Sequence, residues 1–517
     1  MVLIIRVYMK KVLSVFLAVV LMAVAVLPSF ATSDKCNCGE APLIYVAALG
    51  SGTLTLDEGT ENERTLFRPE IGEILPDLLP IVPAAVKLIA DKNYEAFGDV
   101  LIGCVNSVFG ELALDENGNS SDRVTCEEFH PDSADHGLDY SYYFGYDFRL
   151  DPVENAKLLH QYIQEIKEIT KHDTVRFRAS SMGGVVTMSY IRLYGTADIE
   201  TIIFQCCPLQ GTAVAGELYN GLVEIDKNAL KNYASQALPE LGSDLLSGVL
   251  LALIEALDIA GVWDSLLVIA DDIILNLKDK VFEECLIPIF GTLPGIWSFV
   301  PDEYYESGKE FMQLDPVENA KLIEKLDFYH YEVQSKCAEL VAQAKASGTT
   351  MYNVLGYDMQ RTPLVTAHRE TSDGTVDTKY ASMGATCALI GETLPEDYVQ
   401  AKYPEKNFMS PDRMIDASTC IMPENTWFIK DMLHSTTHDG HDELYRIMFE
   451  SEEQLTVFDL EEYPQFLQND VFNQSFYPVE AEIDDSIQGA IDDLLEQFTF
   501  TKLVALVFKI IYSFIGA

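Results

Sequence analysis

With 517 residues, 48% of them apolar and 22% charged, the chain is long enough to bury a large core and has a globular rather than a disordered composition. Its formal charge of −46 repels phosphate backbones, and no Lys/Arg-rich stripe offsets it, which argues against nucleic-acid binding. Anionic membranes are repelled too, so any lipid contact has to be made by apolar surface.

Arg6, Lys10 and Lys11 precede an apolar run from Val12 to Leu27, and Pro28-Ser29-Phe30-Ala31 then places small residues at cleavage positions. Residues 1–31 therefore read as a signal peptide cut after Ala31, which sends the chain to a secreted or extracellular-surface location. No Cys stands at the cut, so a lipoprotein anchor is not expected. All ten cysteines follow it. An exported setting permits disulfides, and Cys104 with Cys126 and Cys387 with Cys420 are the expected pairs, each flanking one loop-like stretch. Cys206-Cys207 read equally well as buried thiols. Cys36-Asn37-Cys38 lacks a second matching pair, so no zinc site is expected there.

Pro42 to Ala48 is a short run of strand formers that ends in Leu49-Gly50-Ser51-Gly52, a buried strand entering a Gly-rich turn. Tyr142 to Phe148 is a second strand. Asp151-Pro152-Val153-Glu154 opens a helix: Asp caps, Pro suits the first helical position, and Glu can reach back to the cap amide. Leu158, Leu159, Tyr162, Ile163 and Ile166 continue it at helical spacing. Thr174 to Ala179 is a strand, Gly183 to Leu193 a helix, and Ile199 to Cys207 a strand. Strand alternating with helix predicts a mostly parallel sheet with helices on both faces.

Leu150 to Leu158 recurs as Leu314 to Leu322, which reads as one helix-start chemistry used twice rather than as a solenoid. Leu245 to Leu277 is dense in Leu, Ile, Val and Ala with acids at helical spacing, a pair of amphipathic helices inserted between strands. Strands resume at Thr350 to Leu355 and Asn425 to Met432. Phe498 to Ala517 is apolar but carries Lys502 and Lys509, which suits an amphipathic helix packed on the body or lying on lipid.

Ala179-Ser180-Ser181-Met182-Gly183-Gly184 lies between a predicted strand and a predicted helix. Acyl transfer by serine needs the hydroxyl lifted out on a sharp turn, with small residues two positions to either side because backbone packs closely there. Ser181 is the candidate nucleophile, with Gly183 matching the pattern and Ala179 replacing the commoner Gly. The Met182 amide and the Leu49 amide are the candidate oxyanion donors. In the chain order Ser, Asp, His, the turn Ser372-Asp373-Gly374 supplies the acid, Asp373, with Asp377 as the alternative. His434, directly after the strand Trp427 to Leu433, is the candidate base, with His438 and His441 as alternatives. The three histidines could instead bind a metal, but Thr436, Thr437 and Gly440 argue against the helix that would hold them together. No metal and no cofactor is expected.

Several of these segments resemble the lecithin:cholesterol acyltransferase-like family of α/β-hydrolases. Tyr146-Asp147-Phe148-Arg149-Leu150 is similar to that family's Tyr-Asp-Trp-Arg-Leu signature, with Phe148 in place of Trp. Pro208-Leu209-Gln210-Gly211-Thr212 is similar to the turn before its lid, and Leu293 to Pro301 to the stretch that closes it. Asp373-Gly374-Thr375-Val376 and His434 occupy the positions of its acid turn and histidine. The matches arrive in the family's order across Pro42 to Phe449. The resemblance implies an α/β-hydrolase fold with a helical lid insertion: core at 32–212 and 345–450, lid at 213–344, and a C-terminal extension at 451–517. It implies a lipase or esterase whose substrate is a lipid-like ester, with transient lipid contact through the lid or the C-terminal helix. An O-acyltransferase passing the acyl group to an alcohol, and an inactive surface or binding protein that kept the fold, are the alternatives.

Overall fold

The computed structural model describes residues 35–36, 38–67, 77, 79–237, 262–451, 453–471 and 473–479. The predicted signal peptide, the first part of the predicted helix pair and the predicted C-terminal helix lie outside these. Among the described residues no helix is long and apolar enough to cross a membrane.

The core is an eight-stranded sheet built from β1 (Leu43–Val46), β2 (Ser141–Phe144), β3 (Val175–Ser180), β4 (Ile199–Gln205), β5 (Thr350–Tyr357), β6 (Thr426–Lys430), β7 (Phe466–Asp470) and β8 (Ser475–Pro478). Their spatial order is β8-β7-β6-β5-β4-β3-β1-β2. Every pairing is parallel except that of β8, which returns antiparallel on β7 at one edge. Central strands of a parallel sheet are covered on both faces and so read as continuous apolar runs. The sequences Ile-Glu-Thr-Ile-Ile-Phe-Gln of β4 and Thr-Met-Tyr-Asn-Val-Leu-Gly-Tyr of β5 follow this, with one exposed residue, Glu200, between them.

One face is covered by α1 (Pro152–Thr170), α2 (Met182–Tyr194) and α3 (Cys337–Ala346). Leu159, Ile163 and Ile166 of α1, Val185 and Val186 of α2, and Leu340 of α3 join Ile44, Phe177 and Ile202 in one buried cluster. The other face packs Leu444, Tyr445 and Met448 of α4 (Asp439–Glu450) with Tyr352, Val354, Phe428 and Leu467. At roughly 25 cal/mol per Å² of apolar area, each such fully buried side chain stabilises the fold by about 2 kcal/mol.

Helix α1 starts as predicted. The Asp151 carboxylate accepts from the Val153 amide, and Pro152 occupies the first turn. Glu154 does not reach back to the cap; it bonds forward to Lys157 at 2.7 Å. The second copy of this nonapeptide behaves differently. Asp315 accepts from the Val317 and Glu318 amides, but the helix begins only at Ala320.

The cysteine pairing is a correction: all ten thiols are free. Cys104 is buried on the helix Tyr94–Phe109, whereas Cys126 sits on a small side strand against Gly52, where burial pushes its thiol up to about 12. Cys387 bonds to the Ala385 carbonyl, and Cys420 faces the Thr426 hydroxyl. Flanking a loop in sequence did not join either pair in a disulfide.

Candidate active site

The chain leaves β3 at Ser180 and enters α2 at Met182, so Ser181 alone makes the turn. Its φ of 50° and ψ of −120° are a strained conformation for a residue with a side chain. Two contacts hold it. The Ser181 amide donates to the Gln205 carbonyl at the end of β4 at 2.9 Å, and the Ser181 carbonyl accepts from the Gly184 amide at 2.9 Å. A Cβ on Gly183 would stand 2.1 Å from the Val46 carbonyl oxygen, so only glycine lets α2 start this close to β1. Ala179, two residues before the serine, is fully buried without displacing the strand.

Three side chains from the ends of different strands meet at Ser181. His434 follows β6, and Asp373 lies on the loop after β5. His434 Nε2 is 2.8 Å from Ser181 Oγ, and His434 Nδ1 is 2.8 Å from Asp373 Oδ2. The other Asp373 oxygen, Oδ1, accepts from the Thr375 and Val376 amides at 3.0 and 2.7 Å. The carboxylate is thus held from behind while its free oxygen faces the imidazole. The backbone adds a further tie, because the His434 amide donates to the Asp373 carbonyl at 2.7 Å. Gly356 at the end of β5 makes room for this loop, since a Cβ there would lie 2.8 Å from Asp373 Cβ.

Burial lowers the affinity of His434 for a proton, but the Asp373 charge and its hydrogen bond outweigh that and raise the pKa above the ordinary imidazole value. With Asp373 holding Nδ1–H, the neutral ring presents its Nε2 lone pair to the serine hydroxyl. The His434 side chain keeps 21% exposure against 2% for Asp373, so the imidazole is reachable and the carboxylate is not.

The alternatives from the sequence sit elsewhere. Asp377 is fully buried and binds Arg361 at 2.7 Å, the Thr212 hydroxyl and the Ala213 amide. His438 caps α4 by accepting from the Gly440 amide, and its Nε2 bonds to Asn469. His441 accepts from the His438 amide and turns its Nε2 to Met432 Sδ; burial, then the neighbouring His438 and Arg178, hold its pKa down at about 3. The two oxyanion candidates border the serine turn: Met182 is the first residue of α2, and the loop carrying Leu49 leaves β1 beside Gly183. Among the described residues no hydrogen bond occupies either amide.

The sequence left one neighbour unassigned. Cys206, with φ of 50° just after β4, lies beside Asp373, and burial raises its thiol well above the ordinary range. Cys206, Asp373 and His434 offer ligand atoms within 4.8 Å of one another. A metal there would take the carboxylate and imidazole nitrogen that already bind each other, so it would compete with the bond that orients His434.

The turn at the start of the predicted lid and the stretch from Leu293 to Pro301 meet in space, while the predicted far bound at Ala344 takes no part in this contact. The Thr212 amide donates to the Phe299 carbonyl at 2.8 Å, and Gly295 packs directly on the Phe148 carbonyl. The helix Lys227–Ala237, within the predicted lid, lies against the segment between β5 and Asp373, where Gln236 accepts from the Gln360 amide. A cavity of about 530 Å³ lined by Tyr45, Arg178 and Tyr445 contains none of the three site residues.

No protein-family model and no curated protein matches the chain. Among solved structures, it is similar to one described as the crystal structure of the Tle4-Tli4 complex, at 12% identity over 61% of this chain and 74% of that one, with a TM-score of 0.24. At that TM-score the overlay does not establish a common fold.

Proposed function

We propose that this chain is a secreted serine hydrolase of carboxylic esters, with Ser181 as nucleophile, His434 as general base and acid, and Asp373 as the group that orients the histidine. The observation that carries the reading is the continuous chain of two 2.8 Å contacts from Asp373 through His434 to Ser181. Ser181 attacks the ester carbonyl while His434 Nε2 takes its proton. The imidazolium, stabilised by Asp373, then gives that proton to the departing alcohol and leaves an acyl-serine. Water, deprotonated by the same nitrogen, releases the acid. The Met182 and Leu49 amides stabilise the oxyanion of each tetrahedral intermediate.

The strand order, with the nucleophile after β3, the acid after β5 and the base after β6, supports an α/β-hydrolase fold of the lecithin:cholesterol acyltransferase-like kind. The insertion that begins at Ala213 acts as the lid, and its position beside the acid loop supports a lipid-like substrate. The direct test is labelling of the purified chain with a fluorophosphonate probe, followed by peptide mapping. Modification of Ser181, lost in Ser181→Ala and in His434→Ala, is expected. A folded protein that takes no label would overturn the proposal.

A further inference from the structure

At the opposite end of the sheet from Ser181, where the strands begin, four side chains converge with no part in the chemistry above. Cys36 and Cys38 come from the segment before β1, His136 from the irregular stretch before β2, and His172 from the turn between α1 and β3. Their sulfur and nitrogen atoms all lie within 4.8 Å of one another. Cys38 Sγ is 3.4 Å from His136 Nε2 and 3.3 Å from His172 Nε2. In a tetrahedral zinc site, with Zn–S near 2.3 Å and Zn–N near 2.0–2.1 Å, sulfur and nitrogen ligands stand about 3.6 Å apart. The observed spacing is that of a ligand sphere.

The surroundings are those of a metal site as well. His136 Nδ1–H donates to the Ala134 carbonyl at 3.0 Å, which leaves Nε2 as the lone-pair nitrogen facing the sulfurs. Backbone support of the distal nitrogen is how ligating histidines are oriented. The Glu40 amide donates to Cys38 Sγ at 3.3 Å, a bond that a ligating sulfur can keep. The segment is docked by the Cys36 amide on the Lys171 carbonyl, by the Lys35–Asp173 ion pair and by Arg176 on the Gly39 carbonyl. Gly39, at φ of +84°, makes the turn that brings Cys38 back over His172.

From this geometry we infer that Cys36, Cys38, His136 and His172 bind one zinc ion in a structural site. Two thiolates and two imidazoles suit a tetrahedral divalent ion of zinc type better than a hard cation. Binding releases the two thiol protons to solvent and involves no change of oxidation state. Four protein ligands leave no open position, and about 20 Å of β3 separates the site from Ser181, so the ion does not take part in ester cleavage. Its work is to tie three irregular segments, which the sheet alone does not pair, to one point.

The test uses the full chain purified with its thiols reduced and counted. About one equivalent of zinc per chain is expected, and Co²⁺ in its place should give the thiolate charge-transfer band and the strong visible bands of a four-coordinate ion. Cys38→Ser and His136→Gln should each lose the bound metal. His434→Ala should keep it, which separates this site from the Cys206, Asp373 and His434 group. For variants that fail to fold, the wild type carries the test: a chelator should lower Tm by several degrees and added Zn²⁺ should restore it. Absence of binding by the fully reduced chain, a weak six-coordinate cobalt spectrum, metal retained by both ligand variants, or a Cys36–Cys38 disulfide in the native protein would each overturn the inference.

Discussion

Asp373→Asn is the sharpest perturbation of the site, because the structure dictates which way the new amide must point. Asp373 Oδ1 accepts from the Thr375 and Val376 amides. In the variant the carbonyl oxygen has to stay there, since turning the amide group would aim two donors at two donors. The NH₂ then faces His434 Nδ1 and donates to it. The imidazole proton is driven to Nε2, where it points at Ser181 and cannot accept the hydroxyl proton. Mis-set tautomers of this kind cost ~10⁴-fold in kcat, about 5 kcal/mol of transition-state stabilisation. The backbone bond from His434 to Asp373 and the packing around it are untouched, so Tm should move little. The assay is kcat on a chromogenic ester, beside the thermal transition of the same preparation. A loss of less than about tenfold in a folded variant would refute the idea that Asp373 sets the tautomer. Asp377→Asn offers the contrast. It removes the nearer of the two carboxylates that face buried Arg361 and leaves Glu217 at 3.9 Å, so the expected damage is to stability, by about 3 kcal/mol, with the pH dependence of the remaining activity unchanged.

Three further outcomes are expected. His434 must be neutral to act as base, and Asp373 raises its pKa above the ordinary imidazole value; kcat/KM should therefore fall as pH drops through a midpoint higher than that of a free imidazole, and that midpoint should move down in Asp373→Asn, where burial acts without the carboxylate charge. Gly183→Ala drives a methyl to 2.1 Å from the Val46 carbonyl, and urea unfolding should show a loss of about 3 kcal/mol, the upper end for overpacking because the clash is with backbone; a neutral result would mean that the approach of α2 to β1 is loose. His438→Ala removes the cap of α4, and a stability loss of about 1 kcal/mol with near-normal turnover is expected; a loss of turnover matching His434→Ala would reassign the base.

The parts of this molecule that could be read from sequence are those whose physics is local. The Asp151-Pro152 start of α1 and the strand, serine, helix order around Ser181 depend on neighbours a few residues away. The choice among His434, His438 and His441 is of another kind. It depends on which ring emerges at the end of β6 toward Ser181, 253 residues distant, while the other two turn back onto Asn469 and Met432. Sequence position after the strand favoured His434 but held no information on where the others point. The cysteines show the same limit. Cys104 and Cys126 flank one stretch yet pack in separate elements, and Cys36-Asn37-Cys38 has no second matching cysteine pair in sequence because the side chains facing Cys38 are histidines 98 and 134 residues beyond it. The nonapeptide repeat is a warning as well: the same residues begin a helix at once after Asp151 and only after a further turn following Asp315.

The bond between the Thr212 amide and the Phe299 carbonyl closes one excursion of the chain at a narrow neck, before the helices that lead back to β5. Everything strung between those two residues is topologically a cassette. Its length can change without asking any strand to change its neighbour, because closing so narrow a gap needs only a short linker, whereas exchange would have to replace Cys285 and Ile289, which it lends to the sheet's buried cluster. The neck is also bolted to the loop that carries Asp373, since the Thr212 hydroxyl donates to the Thr375 carbonyl and to Asp377. A cassette that swings about this point would pull on the loop that carries the acid.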